Sequence, residues 1–309
     1  MSRHPMRFKI FLILIVVISG CHKGEAGLSR VDSWAYQLQN ANPEEIVESN
    51  VDLIVMDYSR DGTEAGEYSQ EDIIMIKESG ILPIAYISIG EAENYRFYWE
   101  ETWEENPPDW LGKENSQWSG NYAVKFWSDD WKEIVFSYID RIIEQGFSGL
   151  YLDKVDEYEY WSDSSNNEAL LLNEEEVADS MVEFIQEIKE YCTDKKEDFI
   201  LIPQNGEGLI QLSNGKILES VSGWGVEDLF YSGINPVSGD ETNFRIDLLE
   251  RVCQNDKIVL SVDYVDDGSG FSGVNKQRIE DYIQKARENG FIPYAARSDR
   301  NLDELNLYP

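Results

Sequence analysis

Among 309 residues, 60 acidic side chains outnumber 26 basic ones, a formal charge of -34 with 42% apolar content. The apolar share is enough to bury a core in one large domain or two small ones, while the charge excludes nucleic-acid binding, which needs basic patches to replace phosphate counterions. The only histidines are His4 and His22, so the body of the chain lacks the imidazole that Ser-His-Asp sites, Cys-His sites and His-ligated zinc require. Chemistry there falls to carboxylates, tyrosines, lysines or an oxygen-ligated ion such as calcium, and no metal or cofactor site is expected.

The chain begins with Arg3, Arg7 and Lys9 ahead of the apolar run Ile10 to Ile18. That run is too short to span a bilayer as a mature helix and reads as an export signal. Ile18-Ser19-Gly20-Cys21 resembles the lipobox of bacterial lipoproteins, in which the cysteine becomes the acylated first residue. The expectation is a lipoprotein signal peptide over 1–20, a lipid-anchored tether over 21–30 and one domain over 31–309. The protein would then be extracytoplasmic and touch the membrane only through Cys21. A plain signal peptide with a nearby cysteine is the alternative. Removing 1–20 takes three of the 26 basic residues and no acid, moving the charge from -34 to -37. Such a surface attracts a polycationic ligand, or simply keeps an exported protein soluble. Cys192 and Cys253 have no metal-type spacing, and the sequence leaves open whether they form a bridge.

Strand-like apolar runs follow in chain order at Ser33–Gln37, Leu53–Asp57, Leu82–Ser88, Gly149–Asp153, Phe199–Pro203, Gly223–Glu227, Ile258–Asp263 and Phe291–Ala295. Helical spacing fills the intervals at Pro43–Ser49, Ser69–Ser79, Asp129–Gln145, Glu174–Tyr191, Thr242–Gln254 and Asn275–Asn289, with glycines 80, 146 and 290 as stops. Eight strands alternating with helices predict a single-domain α/β (β/α)8 TIM barrel, with a doubly wound open sheet as the alternative.

The strand ends carry Gln37, Asp57 with Tyr58, Ser88 with Glu91, Asp153 with Asp156, Gln204 with Asn205, Glu227 with Asp228, and Asp263 with Tyr264; Tyr294 lies just before the last strand ends. A single Asp after a strand is as readily a cap or turn residue, but polar groups at nearly every strand end are what the active face of a barrel requires. Two carboxylates facing each other across a sugar hydrolyse a glycosidic bond without histidine or metal. Asp153 and Glu227 end strands of the same parity, so they can meet across the barrel mouth. Asp153 is expected to be the nucleophile and Glu227 the general acid/base, if Glu227 rather than Asp228 points inward. Asp57 is the reserve candidate. Asp57, Asp156 and Asp263 are expected to tune the pair or bind sugar hydroxyls, with Tyr58, Tyr86, Glu91, Tyr95, Asn205, Tyr264 and Tyr294 as further substrate contacts.

A long loop, Glu91 to Trp131, follows the third strand and holds six of the nine tryptophans: Trp99, Trp103, Trp110, Trp118, Trp127 and Trp131. Exposed aromatic faces are platforms for sugar rings and cationic amines; the same residues can instead pack the loop onto the barrel. Gly268 to Gly273 matches GxGxxG, but it comes at the seventh strand and lacks an acidic partner about twenty residues on, so it reads as a glycine-rich rim loop.

The segments Ala85 to Glu93, Trp118 to Val124, Gly149 to Tyr158 and Gly225 to Tyr231, in that order, make the chain resemble glycoside hydrolase family 114, the family of endo-α-1,4-polygalactosaminidases. The resemblance implies a (β/α)8 barrel, catalytic acids at Asp153 and Glu227, and a galactosamine-containing polymer as substrate. The expected function is therefore an extracytoplasmic glycoside hydrolase cleaving an α-linked amino-sugar polysaccharide, with retention of configuration. A non-catalytic polysaccharide-binding or export lipoprotein on the same barrel, and a carbohydrate lyase, are the competing readings.

Overall fold

The computed structural model describes residues 27–166, 168 and 173–308. The expected signal peptide and the expected acylation site at Cys21 lie outside the described residues. Eight strands carry the fold: β1 (Trp34–Gln37), β2 (Leu53–Met56), β3 (Leu82–Ser88), β4 (Gly149–Asp153), β5 (Ile200–Pro203), β6 (Gly223–Glu227), β7 (Ile258–Asp266) and β8 (Ile292–Arg297). They are nearly continuous apolar runs, Leu-Ile-Val-Met in β2 and Ile-Leu-Ile-Pro in β5, because helices cover one face and the barrel interior the other.

Strands β1 to β5 form one parallel arc, registered Trp34 to Leu53, Leu53 to Leu82, Ile84 to Gly149 and Gly149 to Ile200. Strands β6, β7 and β8 form a second, through Gly223 to Ile258 and Leu260 to Ile292. A parallel bridge between Gln204 and Gly225 joins β5 to β6. At the other seam the Trp34 indole N–H donates to the Ile292 carbonyl at 2.8 Å. The chain is a (β/α)8 barrel, not the open doubly wound sheet.

The outer helices are α1 (Pro43–Ser49), α2 (Gln70–Glu78), α3 (Asp129–Gln145), α4 (Glu157–Ser162), α5 (Glu174–Lys195), α6 (Gly208–Leu212), α7 (Gly239–Gln254) and α8 (Gly273–Glu288). Their starts follow local chemistry: Asn42 caps α1, Ser69 and Asp72 form a capping box on α2, and Asn173 and Glu176 do so on α5. The short α4 and α6 sit in βα loops, too brief for a periodic signal. Leu28–Arg30 forms a 3-10 turn with Leu28 buried, so the segment expected as tether is packed structure from there on. Cys192 is buried and free, and no bridge joins it to Cys253.

The segment after β3 is more ordered than a loop. Its strands Glu91–Glu93, Asn121–Val124 and Leu111–Glu114 form a small antiparallel sheet in that spatial order. Trp99, Trp103, Trp110 and Trp131 contact one another in series at 5.2, 5.1 and 5.1 Å between ring centres, and the Trp131 indole donates to the Ile89 carbonyl. These rings fasten the insertion to the barrel, and none of the four lines the cavity described below.

The barrel interior is aromatic. Trp34 contacts Tyr36, Tyr151 and Tyr294 at 5.9, 6.3 and 5.7 Å, and Tyr36 meets Tyr151 at 5.5 Å. Gly225 makes room for this packing, since a Cβ there would lie 2.1 Å from the Tyr151 hydroxyl oxygen. Gly225→Ala should therefore destabilise the protein by about 2–3 kcal/mol in urea unfolding, the cost of overpacking a rigid core. Combined with Tyr151→Leu, which removes the clashing ring, the loss should be less than additive; an additive result would place the strain elsewhere.

Candidate active site

At the C-terminal ends of the strands a cavity of about 520 Å³ opens, where barrels assemble groups from several strand ends. Asp153 ends β4 and Glu227 ends β6, and each is followed by a residue in the left-handed region, Lys154 at φ 60° and Asp228 at φ 50°. Asn205, just past β5, has φ 58°. Non-glycine residues adopt this conformation only where surrounding structure holds them. The turns leave Asp153 and Glu227 lining the cavity, while the Asp228 carboxylate pairs with Arg300 at 2.5 Å.

The Tyr86 hydroxyl donates to Asp153 Oδ2 at 2.6 Å. Burial pushes the Asp153 carboxyl up to about 6, opposed by the charge of Lys154 and by the Tyr86 hydrogen bond. Glu227 is raised too, first by burial and then by the negative charge of Asp153. The Tyr264 hydroxyl donates to Glu227 Oε1, and Asn205 grips the residue twice, its Nδ2 donating to Oε2 at 3.1 Å and its Oδ1 accepting from the Glu227 N–H at 2.9 Å. Asp153 thus has the Lys154 cation beside it, partly offset by the Asp156 anion, while Glu227 faces the Asp153 anion; unequal neighbours of this kind separate a base from an acid.

The cavity also gathers Asp57, Tyr86, Glu91, Tyr95, Asp156, Asn205 and Tyr264 from the expected contacts. Three others fall outside it. Along a strand successive side chains point to opposite faces. Asp57 and Tyr264 take the cavity side, which turns Tyr58 and Asp263 away. Tyr58 is buried against Tyr138, ring centres 4.9 Å apart, with its hydroxyl donating to the Gly62 carbonyl. The Asp263 carboxylate accepts the backbone N–H groups of Leu229, Phe230 and Tyr231 at 2.8–2.9 Å, holding the loop after β6. Tyr294 faces inward but lies lower in the barrel, against Trp34. The Gly268 to Gly273 loop folds onto Asp266 away from the cavity, the Gly268 N–H donating to Asp266 Oδ1 at 3.0 Å.

Several lining groups escape a sequence reading. Arg96 is buried, paired with Asp57 at 2.7 Å and Glu93 at 2.6 Å, and Tyr95 donates its hydroxyl to Glu93. Lys154 reaches Glu91 at 2.9 Å. Of the six insertion tryptophans only Trp118, 53% exposed, lines the cavity, across from Tyr95 at 43%. Glu93 with Tyr95 and with Arg96 are the local pairs among these; Arg96 with Asp57 and Lys154 with Glu91 join residues far apart in the chain.

Residues 22–309 match the model of glycoside hydrolase family GH114. An uncharacterized protein of Methanocaldococcus jannaschii is 55% identical over 277 residues, 89% of this chain and 78% of that protein. An uncharacterized protein of Thermotoga maritima is 48% identical over 301 residues, 96% of this chain and 91% of that protein. Among solved structures, the glycoside hydrolase domain of PelA from Pseudomonas aeruginosa superposes with a TM-score of 0.67 at 16% identity, covering 89% of this chain and 97% of that domain. Aspergillus fumigatus Ega3 in complex with galactosamine gives 0.66 at 14%, covering 92% and 98%. At such identities the likeness of the two structures speaks for the fold alone. Barrel, acid pair and family match together define a glycoside hydrolase. The chain belongs to glycoside hydrolase family 114.

Tyr86→Phe tests the electrostatics of Asp153. The lost hydrogen bond favours the ionised carboxylate, so its removal raises the Asp153 pKa and moves any activity that needs the carboxylate to higher pH. At roughly 1.5–3 kcal/mol for a hydrogen bond to a charged group, the acid limb should move up by about one to two units. NMR titration of the Asp153 carboxyl reads the same shift directly, and an unmoved or lowered value contradicts the assignment.

Proposed function

We propose that the protein hydrolyses an α-linked, amine-bearing galactosaminan-like polysaccharide with retention of configuration. The observation that carries the reading is the half-buried pair Asp153 and Glu227 lining one cavity, with the Asp153 charge acting on Glu227. In the first step Asp153 attacks the anomeric carbon while Glu227 passes its proton to the glycosidic oxygen, and the bond to the leaving sugar breaks. In the second step Glu227, now a carboxylate, takes a proton from water, whose oxygen displaces Asp153 from the same carbon. Two inversions return the original configuration.

An amine-bearing substrate is supported by charge. Seven acids (Asp57, Asp61, Glu91, Glu93, Asp153, Asp156 and Glu227) line the cavity against three bases, Arg96, Lys154 and Arg300. Among the described residues the Asp156 carboxylate is the one of these seven that accepts no hydrogen bond or close ion pair from another residue, although the Lys154 charge acts on it. Its carboxylate is available to an ammonium group. Exposed Trp118 offers a face for a sugar ring further out. The lipobox-like Ile18 to Cys21 supports a location outside the cytoplasmic membrane, held by a lipid on Cys21.

Reducing-end release from partly de-N-acetylated α-1,4-galactosaminan is the direct assay. Asp153→Asn and Glu227→Gln should each lose about 10²–10⁴-fold in kcat, and NMR should find the α-anomer first. Equal release by the wild type and both variants defeats the enzyme reading; initial β-anomer defeats retention. In the same assay, preference for free-amine over fully N-acetylated polymer should narrow in Asp156→Asn. Radiolabelled palmitate should enter the full-length chain on expression in a bacterium and be absent from Cys21→Ala; label in both, or in neither, refutes the anchor.

A further inference from the structure

We propose that Arg300 is a positioning residue for Glu227, acting through the Tyr264 ring and through Asp228. This rests on the reading of Glu227 as general acid/base.

Arg300 lies in the segment after β8, in the left-handed region at φ 60°. Its guanidinium carbon stands 4.0 Å from the centre of the Tyr264 ring, and its Nη2 reaches Asp228 Oδ2 at 2.5 Å. Tyr264 donates its hydroxyl to Glu227 Oε1. Asp228 is joined covalently to Glu227 and adopts φ 50°, the turn that sends the two side chains in different directions. One planar cation therefore holds both the hydrogen-bond donor to the Glu227 carboxyl and the backbone turn that aims it. Lysine cannot replace it in this geometry, because stacking on a ring and donating in the ring plane need the flat guanidinium fork.

The charge matters as well as the shape. The groups facing Glu227 are Asp153 from β4, Asp228 beside it, Tyr264 from β7, the Asn205 amide, and the Tyr36 and Tyr151 hydroxyls of the barrel interior. The anions Asp153 and Asp228 favour the protonated form of Glu227, and Arg300, coupled to Glu227 and Tyr264, opposes them. Without Arg300 the proton is held to higher pH, and the carboxyl loses the fixed orientation that proton transfer to a glycosidic oxygen needs.

The test compares Arg300→Met and Arg300→Lys in the purified protein. Arg300→Met should lower kcat about tenfold to a hundredfold, the scale of losing alignment at a reacting group, with KM within about twofold. Its basic limb and the Glu227 carboxyl titration followed by NMR should both move to higher pH. Arg300→Lys should keep the wild-type titration yet fail to restore kcat. The NMR titration needs no turnover, so it judges the positioning role even if the wild type cleaves no galactosaminan. A loss confined to KM, or a lower melting temperature with kcat and the Glu227 titration unchanged, overturns the proposal.

Discussion

The cavity is organised by two half-buried carboxylates, Asp153 and Glu227, the second lying in the field of the first. Burial raises both Asp153 and Glu227; the charge of Asp156 raises Asp153 further, and the charge of Asp153 raises Glu227. With no histidine in the barrel, the hydrogen bonds that oppose this come from tyrosine: Tyr86 to Asp153, Tyr264 to Glu227, and Tyr95 to the neighbouring Glu93. A phenol donates one directed hydrogen bond and is not an acid in the neutral range, so it orients a carboxylate without competing for its proton. The same barrel fills its interior with Trp34, Tyr36, Tyr151 and Tyr294, so one residue class both packs the core and furnishes the donors at its mouth.

Each cation in this acid-rich pocket is tied to acids already in place. Arg96 spans Asp57 and Glu93, Lys154 spans Glu91 and Glu157, and Arg300 holds Asp228. Burial pushes Asp57 up to about 6 even beside Arg96, and Glu157 up to about 8 even beside Lys154. Buried pairs of this kind recover desolvation imperfectly, but removing one partner leaves a charge stranded and costs several kcal/mol. They work less as stabilisers than as fixtures, each linking a strand end to the insertion or to the segment after β8.

The fold was legible because its signals are local. Apolar runs and the stop at Gly146 are written within a few positions, and the ends of α3 fall where the pattern puts them. Asp153 and Glu227 stood out because a strand that closes on an acid shows in one dimension. Side-chain direction did not: Asp263 and Tyr264 are adjacent, and only strand pairing decides which faces the cavity. Arg96 with Asp57, and Arg300 with Asp228, are joined by the closure of the barrel across 39 and 72 positions, beyond any pattern in the chain. The tryptophan-rich insertion stayed ambiguous in the sequence because composition cannot separate a ring packed on another ring from one that faces solvent.

The inequality of the two acids follows from what stands beside each. Lys154 is the residue after Asp153 and favours its ionised form, whereas Glu227 meets the Asp153 charge itself. When Asp153 ionises first, its new charge strengthens the hold of Glu227 on the remaining proton, so the pair passes through a state with one proton and one charge. That state is the one double displacement needs at the outset, a nucleophile already bare and an acid still loaded. A cationic sugar entering the cavity adds a positive charge to this balance and lowers both acids together. Lys154, standing beside Asp153 alone, favours that acid as the one left ionised.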